Sequence, residues 1–168
     1  PNQNLDFRFK IHNKIVDVFF PEVRVSPTTT LRGSIDSNDG LFRLNLKSPE
    51  IDVYSHIIDD VNLQIDNKNP LFNTQLAINE IRADYYNLSD LLMVNITLND
   101  TLYFRTEFKG GAANSETYNL SFYHTFNENQ ESVFGMQRSI VSFKNNDWIF
   151  NPQDNLENKV VYNNKSNI

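Results

Sequence analysis

The chain predicts an all-β fold, an antiparallel meander of about ten to thirteen short strands. Three observations carry that expectation. Apolar residues recur with a period of two along most of the 168 residues. Turn-forming Asn, Asp and Gly clusters separate these runs at spacings of roughly 8–12 residues. Only "LFNTQLAINEI" (71–81) holds apolar positions that could also follow a helical period. On a pleated strand, alternation sends one set of side chains to each face, so each run reads as a half-buried strand.

In order, the first run is "LDFRFKIH", where Leu5, Phe7, Phe9 and Ile11 alternate with Asp6, Arg8, Lys10 and His12. "FFPEVRVSPTTT" interrupts it, because Pro21 and Pro27 cannot donate to a ladder and suit an edge or a crossing segment. The alternation restarts at Leu31, Gly33 and Ile35. It continues through Phe42, Leu44 and Leu46; Ile51 and Val53; Val61, Leu63 and Ile65; then Phe72, Thr74, Leu76 and Ile78. Further runs are Ile81, Ala83 and Tyr85; Val94, Ile96 and Leu98; Leu102, Phe104, Thr106 and Phe108; and Tyr118, Leu120, Phe122, His124 and Phe126. The last are Ile140 to Phe143, Trp148 to Phe150 and Val160 to Tyr162. Turns are expected at Ser37–Gly40, Asn67–Pro70, Leu98–Asp100, Lys109–Glu116 and Asn127–Glu131, where Asn, Asp and Gly tolerate positive φ or bond their own backbone.

No linker divides the chain, so residues 1–168 read as one domain, with 1–30 a cap or the end of a preceding repeat. A chain of this length can bury roughly 70% of its unfolded surface. Pro1 and the lack of a basic and apolar leader in the first 30 residues read as a piece of a longer protein.

Composition narrows function. A net charge of −6 supplies no basic stripe for a phosphate backbone, so no nucleic-acid partner is expected. Without Cys there is no disulfide, thiolate metal site or thiol nucleophile. His12, His56 and His124 lie on separate segments without ligand spacing, and "DSNDG" (36–40) lacks the alternating ligands and closing Glu of a calcium loop. Neither a metal nor another cofactor is expected. Asp59 with Asp60, and Glu80 with Asp84, read as solvated face charges, and "KGGAA" (109–113) as a hairpin tip. No nucleophile or nucleotide motif occurs, so no catalytic residue is assigned and a non-enzymatic role is expected.

The apolar faces still need a cover. A dozen large apolar side chains left in water forgo roughly 1.5–3 kcal/mol each, on the order of 20–35 kcal/mol together, more than a domain's whole stability. The cover is the other half of a closed sandwich, a partner chain, or an acyl chain in a groove.

From Leu31 onward the sequence resembles the C-terminal β-rich region of TamB-type, AsmA-related envelope proteins, in a Bacteroidetes-like, Asn-rich style with 25 Asn. The resemblance rests on the order of "LRGSI" (31–35), "SPEIDVYSHIIDDVNLQIDN" (48–67), "YYNLSDLLMVNITLNDTLYFRTEF" (85–108), "YNLSFYHTF" (118–126) and "SIVSFKNNDWIFNPQDNLENKVVY" (139–162). It implies a sheet bent lengthwise into a taco-like trough or half-closed sandwich with an apolar interior. It further implies a periplasmic segment of a protein anchored in the inner membrane. Such a segment shields phospholipid acyl chains in transport between the membranes, or serves outer-membrane protein assembly. Implied partners are phospholipid acyl chains, neighbouring β repeats of the same chain and a TamA-like outer-membrane barrel protein. The inward groove residues expected from alternation are Phe42, Leu44, Leu63, Ile65, Leu76, Ile78, Ile96, Leu98, Phe104, Leu120, Phe122 and Trp148. Trp148 is expected buried on the apolar side, after a turn made by Asn145, Asn146 and Asp147. The competing reading is a structural or adhesive β-sandwich module that binds protein or glycan through Asn-rich loops.

Overall fold

The computed structural model describes residues 3–54 and 56–163. In chain order the elements are β1 (Asn4–Lys10), α1 (Asn13–Phe19), β2 (Val23–Val25), β3 (Thr30–Asp36), β4 (Leu41–Val53), β5 (His56–Asp66) and β6 (Thr74–Arg82). They continue with β7 (Asn87–Leu98), β8 (Thr101–Gly110), β9 (Glu116–Phe126), β10 (Ser132–Met136), β11 (Ser139–Phe143), β12 (Asn146–Phe150) and β13 (Lys159–Tyr162). All thirteen strands belong to one sheet, ordered β1-β3-β4-β5-β6-β7-β8-β9-β10-β13, with β2 beside β4, β11 beside β9 and β12 beside β11. Every pairing is antiparallel, and β1 and β13 end the path without meeting, so the sheet is not closed into a barrel.

Turn chemistry follows the sequence. The β3–β4 turn is held by Asp36, whose Oδ1 accepts from the Asn38 and Asp39 amides at 2.9 and 3.4 Å. These two bonds, Asn38's first, hold the Asp36 carboxyl below its ordinary range. Asn99 and Asp100 take positive φ between β7 and β8.

Six central strands, β4 to β9, are 9–13 residues long and exceed the short strands that turn spacing predicts. The reason is that two alternating runs of opposite parity join within one strand. Phe42–Leu46 and Ile51–Val53 both lie in β4, and Leu76–Ile78 continues to Ile81 in β6. Pro49, Asp60, Asn79 and Asp90, one residue in each of four adjacent strands, take part in none of the cross-strand pairs. Asp60 and Asp90 have φ of 51° and 52°, and the β7–β8 register shifts between Ser89 and Leu92. This irregular line exchanges the parities, so both halves of each strand present apolar side chains to the same face. Gly110 confirms it, because Leu88 and Tyr118 side-chain carbons each lie 3.5 Å from where its Cβ would stand.

An Asp tolerates left-handed φ, whereas a β-branched residue does not. Asp60→Val is therefore expected to cost about 1–2 kcal/mol in urea unfolding, while Asp60→Gly stays within about 0.5 kcal/mol of the native chain. Equal stability of the two variants would contradict a left-handed break at this position.

One feature differs from the sequence reading. The "NKIVDVF" segment forms α1, a helix of seven residues too short to show periodicity; Asn13 ties it to β2 through bonds to both backbone groups of Val25, and Arg24 pairs with Asp17 at 2.7 Å. Residues 4–10 form the first strand of the same sheet, matched to β3 from Asn4↔Asp36 to Lys10↔Thr30. At the crease, Thr29 and Ser48 are fully buried and their hydroxyls bond at 2.6 Å, fixing the loop before β3 against β4.

Burial is sparse. The chain of 19.6 kDa exposes 11738 Å², against about 8,600 Å² for a compact monomer of that mass, so about 59% of its unfolded surface is buried rather than 70%. Only Val61, Ile78, Tyr123 and Val133 are buried hydrophobic residues among those described. A single sheet has two outer surfaces and no second layer to cover either.

Candidate functional site

Cross-strand register defines the faces, since directly paired residues share a side. One row runs Phe9, Leu31, Leu46, Leu63, Leu76, Met93, Thr106, Leu120 across eight strands. The next runs Phe7, Gly33, Leu44, Ile65, Thr74, Asn95, Phe104, Phe122, Met136. Beyond the crease the row is Val25, Ile51, Ile58, Ile81, Leu88. The opposite face carries Arg8, Arg32, Asn45, Gln64, Gln75, Val94, Arg105 and Ser121 in its own row. The sheet is thus an amphipathic plate.

Ten of the twelve residues predicted to point inward share the apolar face: Phe42, Leu44, Leu63, Ile65, Leu76, Ile78, Phe104, Leu120, Phe122 and Trp148. Ile96 and Leu98 do not. In β7 the register puts Leu91, Met93, Asn95 and Thr97 on that face, so Ile96 pairs with Tyr103 on the polar side and Leu98 with Thr101. Both parities of "LLMVNITL" are apolar, and alternation alone favours the wrong one; only the pairing of Met93 with Leu76 decides it.

Trp148 corrects a second expectation. It pairs with Val141 and through it with Tyr118, yet it is 60% exposed, because β12 is an edge strand joined to the sheet by β11 alone among the described residues. The turn before it consists of Lys144 and Asn145, both at positive φ, and Asn146 and Asp147 already belong to β12.

The apolar face is open along its length. Except for buried Ile78 and exposed Phe42 and Trp148, the ten residues are half-buried by lateral neighbours. Near the C-terminal edge, Phe104, Phe122, Phe134, Met136 and Val160 line a groove of about 330 Å³. His124 lies on the same side, stacked on Phe134 at 4.3 Å and edge-on to Phe126 at 5.0 Å.

Apart from Glu116, which pairs with Gly110 at the start of β9, the strand charges lie on the other side. Arg43 pairs with Asp66 at 2.9 Å, Arg105 with Glu107, and Arg82 with Asp59 and, at 2.8 Å, Glu80. Those contacts use Asp59 and Glu80 as partners of a guanidinium. The other two histidines lie elsewhere: His12 caps α1 and His56 opens β5, its Nδ1 3.0 Å from the Tyr54 carbonyl oxygen.

One apolar island interrupts the polar face. Tyr123 is 6% exposed, lies 6.5 Å from the Tyr103 ring, and donates its hydroxyl to the Leu156 carbonyl at 3.1 Å. The segment between β12 and β13 covers it, and Gly135 admits the ring, since a Cβ there would overlap Tyr123. This covered island contrasts with the uncovered face behind it.

Among the described residues no helix is long and apolar enough to cross a membrane, and no three His, Asp or Glu cluster to hold a metal. Comparison of the chain with protein-family models, curated proteins and solved structures finds no match.

Proposed function

We propose that this sheet is a non-enzymatic, lipid-shielding segment of a TamB-like protein of the bacterial envelope, carrying acyl chains between inner and outer membranes through the periplasm. The observation that supports it is the uncovered apolar face: three cross-strand rows of aliphatic and aromatic residues on one side of an unclosed sheet, with the ion pairs on the other. Each CH2 laid along these rows gains about 0.8 kcal/mol on leaving water, so an acyl chain is held firmly yet slides, since no single contact dominates. The work needs an apolar path and no reacting group. The positions of β1 and β13 at the two ends of the strand order suit continuation of the sheet by neighbouring β repeats, and a TamA-like barrel is the partner that the resemblance implies.

The test is native mass spectrometry of the 168-residue chain purified from membrane-containing cells, followed by lipid extraction. Stoichiometric phospholipid is expected. A lipid-free monomer that melts cooperatively and leaves the dye ANS dark would overturn the proposal.

A further inference from the structure

At one end of the strands the apolar face opens into a cavity of about 810 Å³ between the β6–β7 and β8–β9 turns. Its floor is Leu88, Phe108 and Gly110, continuous with the apolar rows, and Gly110 keeps the floor low because it has no side chain. Four aromatic rings line it. Phe108 and Tyr118 stack at 4.6 Å, and Tyr85 and Tyr86 stand at the mouth, Tyr85 being 97% exposed.

The charge in this cavity has one sign. Asp84 and Glu116 are among the residues that line it, and no Lys, Arg or His does. The nearest strand cations face away: Lys109 pairs with Asp90 at 2.7 Å, and Arg82 with Asp59 and Glu80, all on the polar side. Glu116 accepts one hydrogen bond, from the Tyr118 hydroxyl at 2.8 Å, which, with burial, lifts that phenol above its ordinary range. That bond is taken by Glu116 Oε2, and its Oε1 has no hydrogen-bond partner among the described residues.

We infer that this cavity seats the ammonium headgroup of a lipid whose chains lie on the apolar face. Aromatic faces and an ionised carboxylate attract an organic cation together, and a partly desolvated rim strengthens both terms. An anionic headgroup meets only repulsion from Asp84 and Glu116. The inference rests on the lipid-shielding reading and adds headgroup selection to it.

The test compares decanoyl lysophosphatidylethanolamine with decanoyl lysophosphatidylglycerol, below their micellar concentrations, by calorimetric titration of the 168-residue chain. The two share tail and phosphate and differ in the ammonium. Binding of the ethanolamine lipid roughly three- to tenfold tighter is expected, with Glu116→Gln abolishing the preference and Tyr85→Ala reducing it. Gln still accepts from Tyr118, and Tyr85 touches too little to disturb folding, so both variants report on recognition. Equal affinity of the native chain for both lipids overturns the inference and leaves the lipid-shielding reading standing. Binding of neither overturns both.

Discussion

Leu63→Asp is expected to weaken capture of a fluorescent fatty acid by roughly 100-fold, whereas Ile96→Asp leaves it within about twofold of the native chain. Leu63 sits in the middle of the eight-strand row, between Leu46 and Leu76. A carboxylate there keeps its water and drives three or four CH2 groups off the face, at about 0.8 kcal/mol each. Ile96 is almost as apolar a site in sequence terms, but it faces Tyr103 on the opposite side. The pair therefore separates loss of the lipid face from general loss of stability, which circular dichroism monitors in both. Equal loss of capture in the two variants would sink the facial assignment.

Removing the one well-covered aromatic should have the largest effect on folding. Tyr123→Ala deletes one of the four hydrophobic side chains buried among the described residues and the hydroxyl that holds Leu156, and is expected to cost about 3–5 kcal/mol. Gly135→Val acts on the same contact from the other strand, by placing a branched side chain where the Tyr123 ring lies. Both should release β13 and the preceding loop, so hydrogen exchange at residues 151–162 should accelerate while β4 to β7 stay protected. A stable variant with unchanged protection would show that the C-terminal segment is held by other means.

The sheet was legible in the sequence because its faces are written in period two and its turns in Asn, Asp and Gly. Ten groove residues came out on one side for that reason. What alternation cannot express is a break inside a strand. Asp60 and Asp90 are ordinary residues in the row, yet their left-handed backbone exchanges the parities, which brings Ile51, Ile58, Ile81 and Leu88 onto the apolar face. The changes of parity from Leu46 to Ile51 and from Ile78 to Ile81 are the hints, and a boundary between two strands explains each equally well. Strand β7 fails differently: with apolar residues at both parities, its face is fixed only by Leu76 across the ladder, a non-local fact. Trp148 lies on the expected face but is not buried there: an indole is normally covered, while its exposure follows from the edge position of β12.

The central claim is that acyl chains lie on one face of the sheet and not on the other, and neighbouring residues of β8 test it directly. Phe104 lies in the row of Ile65 and Phe122, and Arg105 next to it points to the polar side beside Ser121. The photoreactive residue benzoylphenylalanine would be placed at each position in turn and the cells irradiated, with adducts read by mass spectrometry. Phospholipid adducts at position 104 and none at position 105 are expected. Adducts of equal yield at both positions, or a protein adduct in place of lipid at 104, would contradict a lipid-bearing face.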